Sequence, residues 1–130
     1  MIVLDASAAV DWLLDTFAGE KVEQRISADM GAIHAPHLLD LEVAQVLRSY
    51  VRLGIVSESR GDAALYDLTH ARIRRYSHSA LLPRIWQLRH NLTAYDAAYI
   101  ALAELLDVPV LTRDQKMASA PGHHARVEVI

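Results

Sequence analysis

An α/β fold is predicted for this chain, a three-layer sandwich in which helices flank a mostly parallel central sheet. Short apolar segments that suit buried strands alternate with segments whose apolar residues recur at helical spacing. The chain has 130 residues, of which 52% are hydrophobic, so it can bury one core. No repeat, low-complexity tract or linker interrupts it, and we therefore expect a single domain over residues 1–130.

Five strands and seven helices are predicted from these patterns. The strand candidates are residues 1–4, 32–35, 72–76, 108–112 and 126–130. The helix candidates are residues 7–14, 19–30, 38–53, 57–70, 80–89, 94–106 and 115–119. Gly54 is expected to end the third helix, and Pro83 fits best in the first turn of the fifth.

Composition excludes several kinds of site and location. The chain has no cysteine, so it forms neither disulfides nor thiolate metal sites. It has no uninterrupted apolar run of about 18 residues, so no membrane span is expected. The first residues lack the basic start and long apolar stretch of a signal peptide. A cytoplasmic protein without membrane association is the expectation.

Four acidic residues are candidates for one site, and two of them occupy strand ends of the kind where α/β proteins bind ligands. Asp5 follows the first predicted strand and Asp114 follows the strand at residues 108–112, and parallel sheets bind ligands at the carboxyl ends of their strands. Glu42 lies on an apolar helix face, and Asp96 lies at the start of a helix. Four gathered carboxylates repel one another and need cations or shared protons at neutral pH. Oxygen ligands without cysteine suit Mg²⁺ or Mn²⁺.

Each of these acids also has a purely structural interpretation. Asp5 and Asp114 are both placed to cap helices. Asp96, three residues after Thr93, fits a capping box and suits the helix dipole. Glu42 sits where it could border an apolar stripe and face solvent or an arginine. Taken singly, the acids leave both interpretations open, and only their combination favours a metal site.

Charge and histidine content neither require nor exclude a nucleic-acid partner. The net charge is −3, but if four of the 16 acids belong to one site, 12 remain against 13 Lys and Arg, a balance of +1. His34 and His37 stand on either side of Pro36, yet no matching His or Cys pair completes a zinc site. No Ser-His-Asp arrangement, glycine-rich phosphate loop or nucleotide-binding fingerprint is present.

Four segments resemble the PIN domain and, within it, the VapC toxins of bacterial toxin–antitoxin pairs. They are IVLDAS at residues 2–7, LLDLEVAQVL at residues 38–47, TAYDAAYIALAE at residues 93–104 and LTRD at residues 111–114. The third segment is the most specific, and the order and spacing agree with the family over nearly the whole chain. One departure is Gln45, where many relatives have Asn three residues after the glutamate.

The resemblance implies an Mg²⁺-dependent endoribonuclease, with Mn²⁺ able to substitute, that hydrolyses RNA by in-line attack of water, often at structured loops. The implied catalytic and metal-binding residues are Asp5, Glu42, Asp96 and Asp114. The implied partners are RNA, a VapB-like antitoxin that blocks the site, and a second copy of the chain, so that homodimers and hetero-oligomers with the antitoxin are expected.

Further residues are expected to support this chemistry. We expect ligand-orienting roles for the hydroxyls of Ser7, Thr93 and Thr112. Arg113 has two equal interpretations, a phosphate contact or an ordinary surface arginine. The weaker candidates are Arg48 and Arg52 for phosphate, Tyr95 or Tyr99 for stacking on bases, and Val10, Trp12 and Leu13 for an antitoxin groove.

Two other classes of protein share some of these sequence features. A PIN-like protein that binds RNA or a partner without turnover would have lost one or more acids, whereas all four are present. A phosphoacceptor receiver domain is also α/β with an acidic pocket, but its acids are placed differently along the chain.

Overall fold

The computed structural model describes residues 1–130 and contains five strands and seven helices. The strands are β1 (Ile2–Leu4), β2 (Ile33–Pro36), β3 (Ile73–Tyr76), β4 (Val110–Thr112) and β5 (Val127–Val129). The helices are α1 (Ala6–Leu13), α2 (Phe17–Ala28), α3 (Leu38–Arg52), α4 (Glu58–His70), α5 (Leu82–Gln87), α6 (Ala94–Leu106) and α7 (Gln115–Ser119). A 3₁₀ turn, Ser79–Leu81, precedes α5.

The five strands form one sheet in the order β3-β2-β1-β4-β5, and every neighbouring pair is parallel. The sheet is therefore wholly parallel, where the sequence predicted a mostly parallel one. Strand order reverses direction at β1 and β4, and such a switch point opens a crevice at the carboxyl ends of the strands. Receiver domains have the order 2-1-3-4-5, so this topology excludes that alternative.

Helices cover both faces of the sheet. All three residues of β1 and of β4 are buried, and successive strand residues face opposite sides, so both sides must be covered. One group of helices, α1 to α4, packs together, while α5 packs on α6, which lies against β1, β2 and β4. These two groups and the sheet are the three predicted layers.

Element boundaries differ from the sequence predictions where local chemistry intervenes. Helix α2 begins two residues early because the Thr16 hydroxyl caps it, accepting the Gly19 amide at 3.1 Å. Strand β4 begins at Val110 rather than at residue 108 because Pro109 has no amide hydrogen for a sheet ladder. The predicted helix at residues 80–89 divides into the 3₁₀ turn and α5, with Pro83 in the first turn of α5.

Helix α6 fixes the middle of the core. Seven successive residues, 97–103, are buried, and four of them are alanines, whose small side chains let the helix lie close to the sheet. Helices α3 and α6 both contact β2 and carry a candidate acid each. No helix in the structure is long and apolar enough to cross a membrane.

Candidate active site

One cleft brings together all four acids that the sequence singled out. Asp5, Glu42, Asp96 and Asp114 line a depression of about 470 Å³ at the carboxyl ends of β1 and β4, and no Lys, Arg or His lines it. A second recess, of about 500 Å³, is lined by two acids, Asp15 and Asp67, and by two basic residues, His70 and Arg72. The acidic cleft therefore gathers four carboxylates without the basic side chains that accompany the acids of this second recess.

Asp5 is held by hydroxyl groups rather than by a helix end. It stands at the N-cap position of α1, yet its side chain makes no capping hydrogen bond. Its Oδ2 accepts hydrogen bonds from Ser7 Oγ at 2.6 Å and from Thr112 Oγ1 at 2.7 Å. The residue is only 6% exposed. The capping interpretation is thus wrong for the Asp5 side chain, and two hydroxyls orient its carboxylate.

Backbone contacts extend this network to the last acid. The Arg113 amide donates to Ser7 Oγ at 2.9 Å, and the Asp114 amide donates to Thr112 Oγ1 at 3.0 Å. Asp114 also caps α7, because its Oδ1 accepts the Lys116 amide at 2.8 Å. Asp114 therefore combines both interpretations, since one oxygen caps a helix while the residue lines the cleft.

Asp96 occupies the third position of α6. Its amide donates to Thr93 Oγ1 at 3.1 Å, but its carboxylate makes no return bond to the Thr93 amide, so only half a capping box forms. Burial raises the pKa of Asp96, the charges of Asp5 and Asp114 raise it further, and the Thr93 hydroxyl opposes this rise. Asp96 therefore lies within electrostatic reach of the acids at both strand ends.

Glu42 reaches the cleft from the second turn of α3. Its Oε1 accepts a hydrogen bond of 2.7 Å from the hydroxyl of Tyr99, which lies on α6 and is fully buried. Burial raises the pKa of Glu42, and the charges of Asp5 and Asp96 raise it further, against the lowering effect of Tyr99. The structure thus gives Glu42 a hydroxyl partner and no arginine.

The donor set fits a hard divalent cation. Every candidate ligand is a carboxylate oxygen, which Mg²⁺ and Mn²⁺ prefer. The pKa values of Glu42 and Asp96 are raised first by burial and then by repulsion between the acids, and a cation would relieve that repulsion. No three acidic or histidine side chains are drawn together into a closed ligand cage. Mg²⁺ keeps several waters and uses only one or two carboxylates directly, so an open acidic cleft suits it.

Several weaker sequence predictions are corrected by the structure. Val10 is a core residue, 4% exposed, and offers no surface to an antitoxin, whereas Leu13, although only 6% exposed, lines the recess of about 500 Å³ together with Trp12. Trp12 is partly buried and donates its indole N–H to Glu23. Tyr99 is inaccessible for stacking on a base, whereas Tyr95 is 61% exposed and lines the acidic cleft.

Arg113 has an acidic partner in the structure, which bears on its two interpretations. The Nε of Arg113 lies 3.2 Å from Asp11 Oδ2, and Arg113 does not line the acidic cleft. Its guanidinium therefore has a carboxylate partner already. Sequence reasoning missed both Asp11 and the Tyr99 hydroxyl, because nothing in the local pattern reports a partner on another element.

Comparison with known proteins identifies the family. The model of the PIN domain matches residues 2–122. Ribonuclease VapC1 of Mycobacterium tuberculosis is 43% identical over 129 residues, which are 98% of this chain and 96% of that protein.

Solved structures agree in fold. VapC20 of Mycobacterium tuberculosis, described as a toxin that cleaves the sarcin-ricin loop, has a TM-score of 0.69 at 14% identity and covers 95% of this chain and 97% of its own. VapBC2 of Rickettsia felis, solved with a DNA fragment from its promoter, has a TM-score of 0.71 at 13% identity and covers 100% and 99%. With the matching sheet, the cleft and the near-full-length identity, this chain belongs to the PIN-domain family and, within it, to the VapC ribonucleases.

Proposed function

We propose that this chain is a metal-dependent endoribonuclease that acts as the toxin of a toxin–antitoxin pair in the cytoplasm, with residues 1–130 as one nuclease domain. The observation that carries the proposal is the cleft in which four carboxylates from separate elements meet without a protein cation. An RNA phosphate is an anion, and this cleft would repel it unless cations entered first. The inactive binding protein is disfavoured, because such a protein has no use for four clustered acids.

Mg²⁺ is the proposed ion, with Mn²⁺ as a substitute, held directly or through water by Asp5, Glu42, Asp96 and Asp114. When bound, the metal supplies an activated water and neutralises charge on the phosphate. The chain's own contribution is to fix the ligands. Ser7 and Thr112 hold one oxygen of Asp5, and the Thr93 hydroxyl holds the first turn of the helix that carries Asp96.

We propose unpaired RNA as the substrate, often within a structured loop. Tyr95 is exposed at the cleft and offers a ring on which a splayed base can stack, which duplex RNA does not permit. Arg48 and Arg52 are exposed on the same helix as Glu42 and are proposed phosphate contacts. The loop-cleaving activity described for VapC20 supports this substrate class.

The proposed partners are a VapB-like antitoxin and a second copy of the chain. The acidic cleft suits an antitoxin Arg or Lys, because a guanidinium pairs bidentately with a carboxylate and takes the place of the metal. A VapBC pair is among the proteins of the same fold. Exposed apolar side chains beside the cleft suit a homodimer contact. Leu41 and Tyr95 line the cleft, Leu82 lines a neighbouring recess with Tyr95, and Trp86 lies one turn after Leu82 on α5.

The test of the proposal begins with purified chain free of antitoxin. It should cleave a stem-loop RNA in its loop with Mg²⁺ or Mn²⁺, and EDTA should stop the cleavage. A perfect duplex of the same sequence is the control and should be cut far more slowly. Equal cleavage of loop and duplex would contradict the substrate class, and cleavage that persists in EDTA would contradict the metal.

The toxin role has a separate test in cells. Expression alone should arrest growth, and co-expression of the neighbouring small open reading frame should relieve the arrest and co-purify with the chain. Asp5→Asn should be harmless alone and still bind that partner, because removing one of four charges leaves the rest of the interface. Growth arrest that persists in Asp5→Asn would show that toxicity has another source.

A further inference from the structure

The hydroxyl of Tyr99 has one hydrogen-bond partner in the whole molecule. Tyr99 lies on α6, 0% exposed and three residues after Asp96. Its hydroxyl donates to Glu42 Oε1 at 2.7 Å across the contact between α6 and α3. A buried tyrosine hydroxyl needs a partner, but a backbone carbonyl usually serves that need. Here the partner is a candidate ligand of the acidic cleft.

Asp5 and Glu42 are held in the same manner. Asp5 has Oδ2 engaged by Ser7 and Thr112, while no protein donor contacts its Oδ1. Glu42 has Oε1 engaged by Tyr99, while no protein donor contacts its Oε2. Each carboxylate therefore has one oxygen fixed by hydroxyl groups and one oxygen left for a ligand. A carboxylate without such a tether turns broadly about its last side-chain bond.

We propose that Tyr99 is a positioning residue, which fixes Glu42 Oε1 and so presents Oε2 to the metal of the acidic cleft. The inference rests on the proposed function, because it needs a metal in that cleft. It gives Glu42 the orienting hydroxyl that Ser7 and Thr112 supply to Asp5. It also explains why a polar atom is placed in the buried stretch of α6, residues 97–103, which is otherwise apolar. Orienting partners of metal ligands change metal affinity by about 10- to 100-fold when removed.

The experiment compares two Tyr→Phe variants. Tyr99→Phe removes only the hydroxyl that contacts Glu42. Tyr50→Phe makes the same change on α3, in a partly buried side chain whose hydroxyl makes no hydrogen bond to protein. Mn²⁺ binding to each purified variant is measured by calorimetry without RNA, and urea unfolding is measured in EDTA. We expect Mn²⁺ to bind Tyr99→Phe about 10-fold more weakly than wild type, and Tyr50→Phe to match wild type.

Comparison with the Glu42→Gln background separates positioning from general stability. There the ligand charge is already lost, so adding Tyr99→Phe should weaken Mn²⁺ binding no further. An equal loss in both backgrounds would overturn the proposal, as would wild-type Mn²⁺ affinity in folded Tyr99→Phe. If wild type itself bound no Mn²⁺, the proposed function would fail instead, so the two failures are distinguishable.

A measurement on the wild-type sequence decides the matter if Tyr99→Phe does not fold. Chain labelled with 3-fluorotyrosine has five fluorine signals, one for each tyrosine. Saturating Mg²⁺ should shift the Tyr99 signal, because the partner of its hydroxyl becomes a ligand, and should leave that of Tyr66, a remote exposed residue on α4, unchanged. An unmoved Tyr99 signal with Mg²⁺ bound would overturn the proposal.

Discussion

Glu104 and Glu42 are both withdrawn from water, but the structure treats them in opposite ways. The Glu104 side chain is 7% exposed. Arg84 donates hydrogen bonds to both of its oxygens, from Nε to Oε2 at 2.7 Å and from Nη2 to Oε1 at 3.0 Å. Burial by itself would raise the pKa of Glu104, but Arg84 and the His124 amide outweigh it and the pKa is lowered. Glu42 has only the Tyr99 hydroxyl, and burial and neighbouring acids raise its pKa.

The difference separates a structural acid from a proposed metal ligand. Glu104 links α6 to α5 through Arg84 and to the loop between α7 and β5 through the His124 amide. At this structural position the chain supplies its own cation. Where carboxylates gather in the cleft, the chain supplies hydroxyls and no cation. Acids whose pKa values rise through burial and like charge are typical of functional sites.

The largest effect is expected from Asp5→Asn, which removes one cleft charge at nearly constant shape. RNA cleavage should fall by at least about 100-fold, because even the partners that merely orient metal ligands are worth 10- to 100-fold. Cleavage is measured with saturating Mg²⁺, and circular dichroism checks that the fold survives. Undiminished cleavage in both Asp5→Asn and Asp96→Asn would remove the cleft from the mechanism.

Glu104→Gln should lower stability and leave RNA cleavage unchanged, the reverse of what is expected for Asp5→Asn. Arg84 would lose its charged partner, so the free energy of unfolding should fall by about 2 kcal/mol, the range for hydrogen bonds to charged groups. Urea unfolding measures this loss. Mg²⁺-dependent cleavage per folded molecule should stay at the wild-type rate, because Glu104 does not line the cleft. A large fall in cleavage with intact stability would erase the distinction between the two acids.

Glu42→Gln should stabilise the metal-free protein while it weakens metal binding. The pKa of Glu42 is raised in the folded state by burial and then by Asp5 and Asp96, so its ionisation opposes folding. At neutral pH this cost is present in wild type and absent in Gln, and below about 4.3, the ordinary Glu value, both side chains are neutral and the difference disappears. In EDTA, the melting temperature of Glu42→Gln should therefore be a few degrees higher than that of wild type at neutral pH, and the two should be equal at acidic pH.

A matched control for that melting experiment is Glu104→Gln under the same conditions. The pKa of Glu104 is lowered, so its ionised form supports folding and its loss should lower the melting temperature at neutral pH. Variants that shift in the same direction would mean that burial alone, and not the choice of partner, sets the energy of both acids.

Most of the fold could be predicted from hydrophobic periodicity. The features that could not be predicted are contacts between residues far apart in the sequence. The helix at residues 94–106 was predicted to the residue, because the Thr93 cap and the start of the apolar run are both local signals. The four cleft acids were predicted because strand ends and family motifs are visible in the chain. The Tyr99–Glu42 bond spans 57 positions and the Ser7–Thr112 contact spans 105, so neither leaves a trace in a local pattern. Val10 failed as a groove residue because helical spacing gives a buried face without saying what covers it.

The smallest effect is expected from Arg113→Ala, which sharpens the comparison at the rim of the cleft. Arg113 is exposed and its Nε lies 3.2 Å from Asp11 Oδ2, while Asp11 also accepts the Thr16 hydroxyl at 2.7 Å. Arg113 therefore already has a carboxylate partner within the chain, as Arg84 does.

RNA binding by the Asp5→Asn protein is measured over a series of salt concentrations, because each phosphate contact contributes about one unit to the logarithmic salt slope. Arg113→Ala should leave that slope unchanged, and Arg48→Ala, an exposed arginine without a carboxylate partner, should lower it by about one unit. Stability should change by less than about 1 kcal/mol in Arg113→Ala, since exposed ion pairs contribute little. A slope that drops in Arg113→Ala would mean that RNA draws the guanidinium away from Asp11, and Arg113 would then belong with the phosphate contacts.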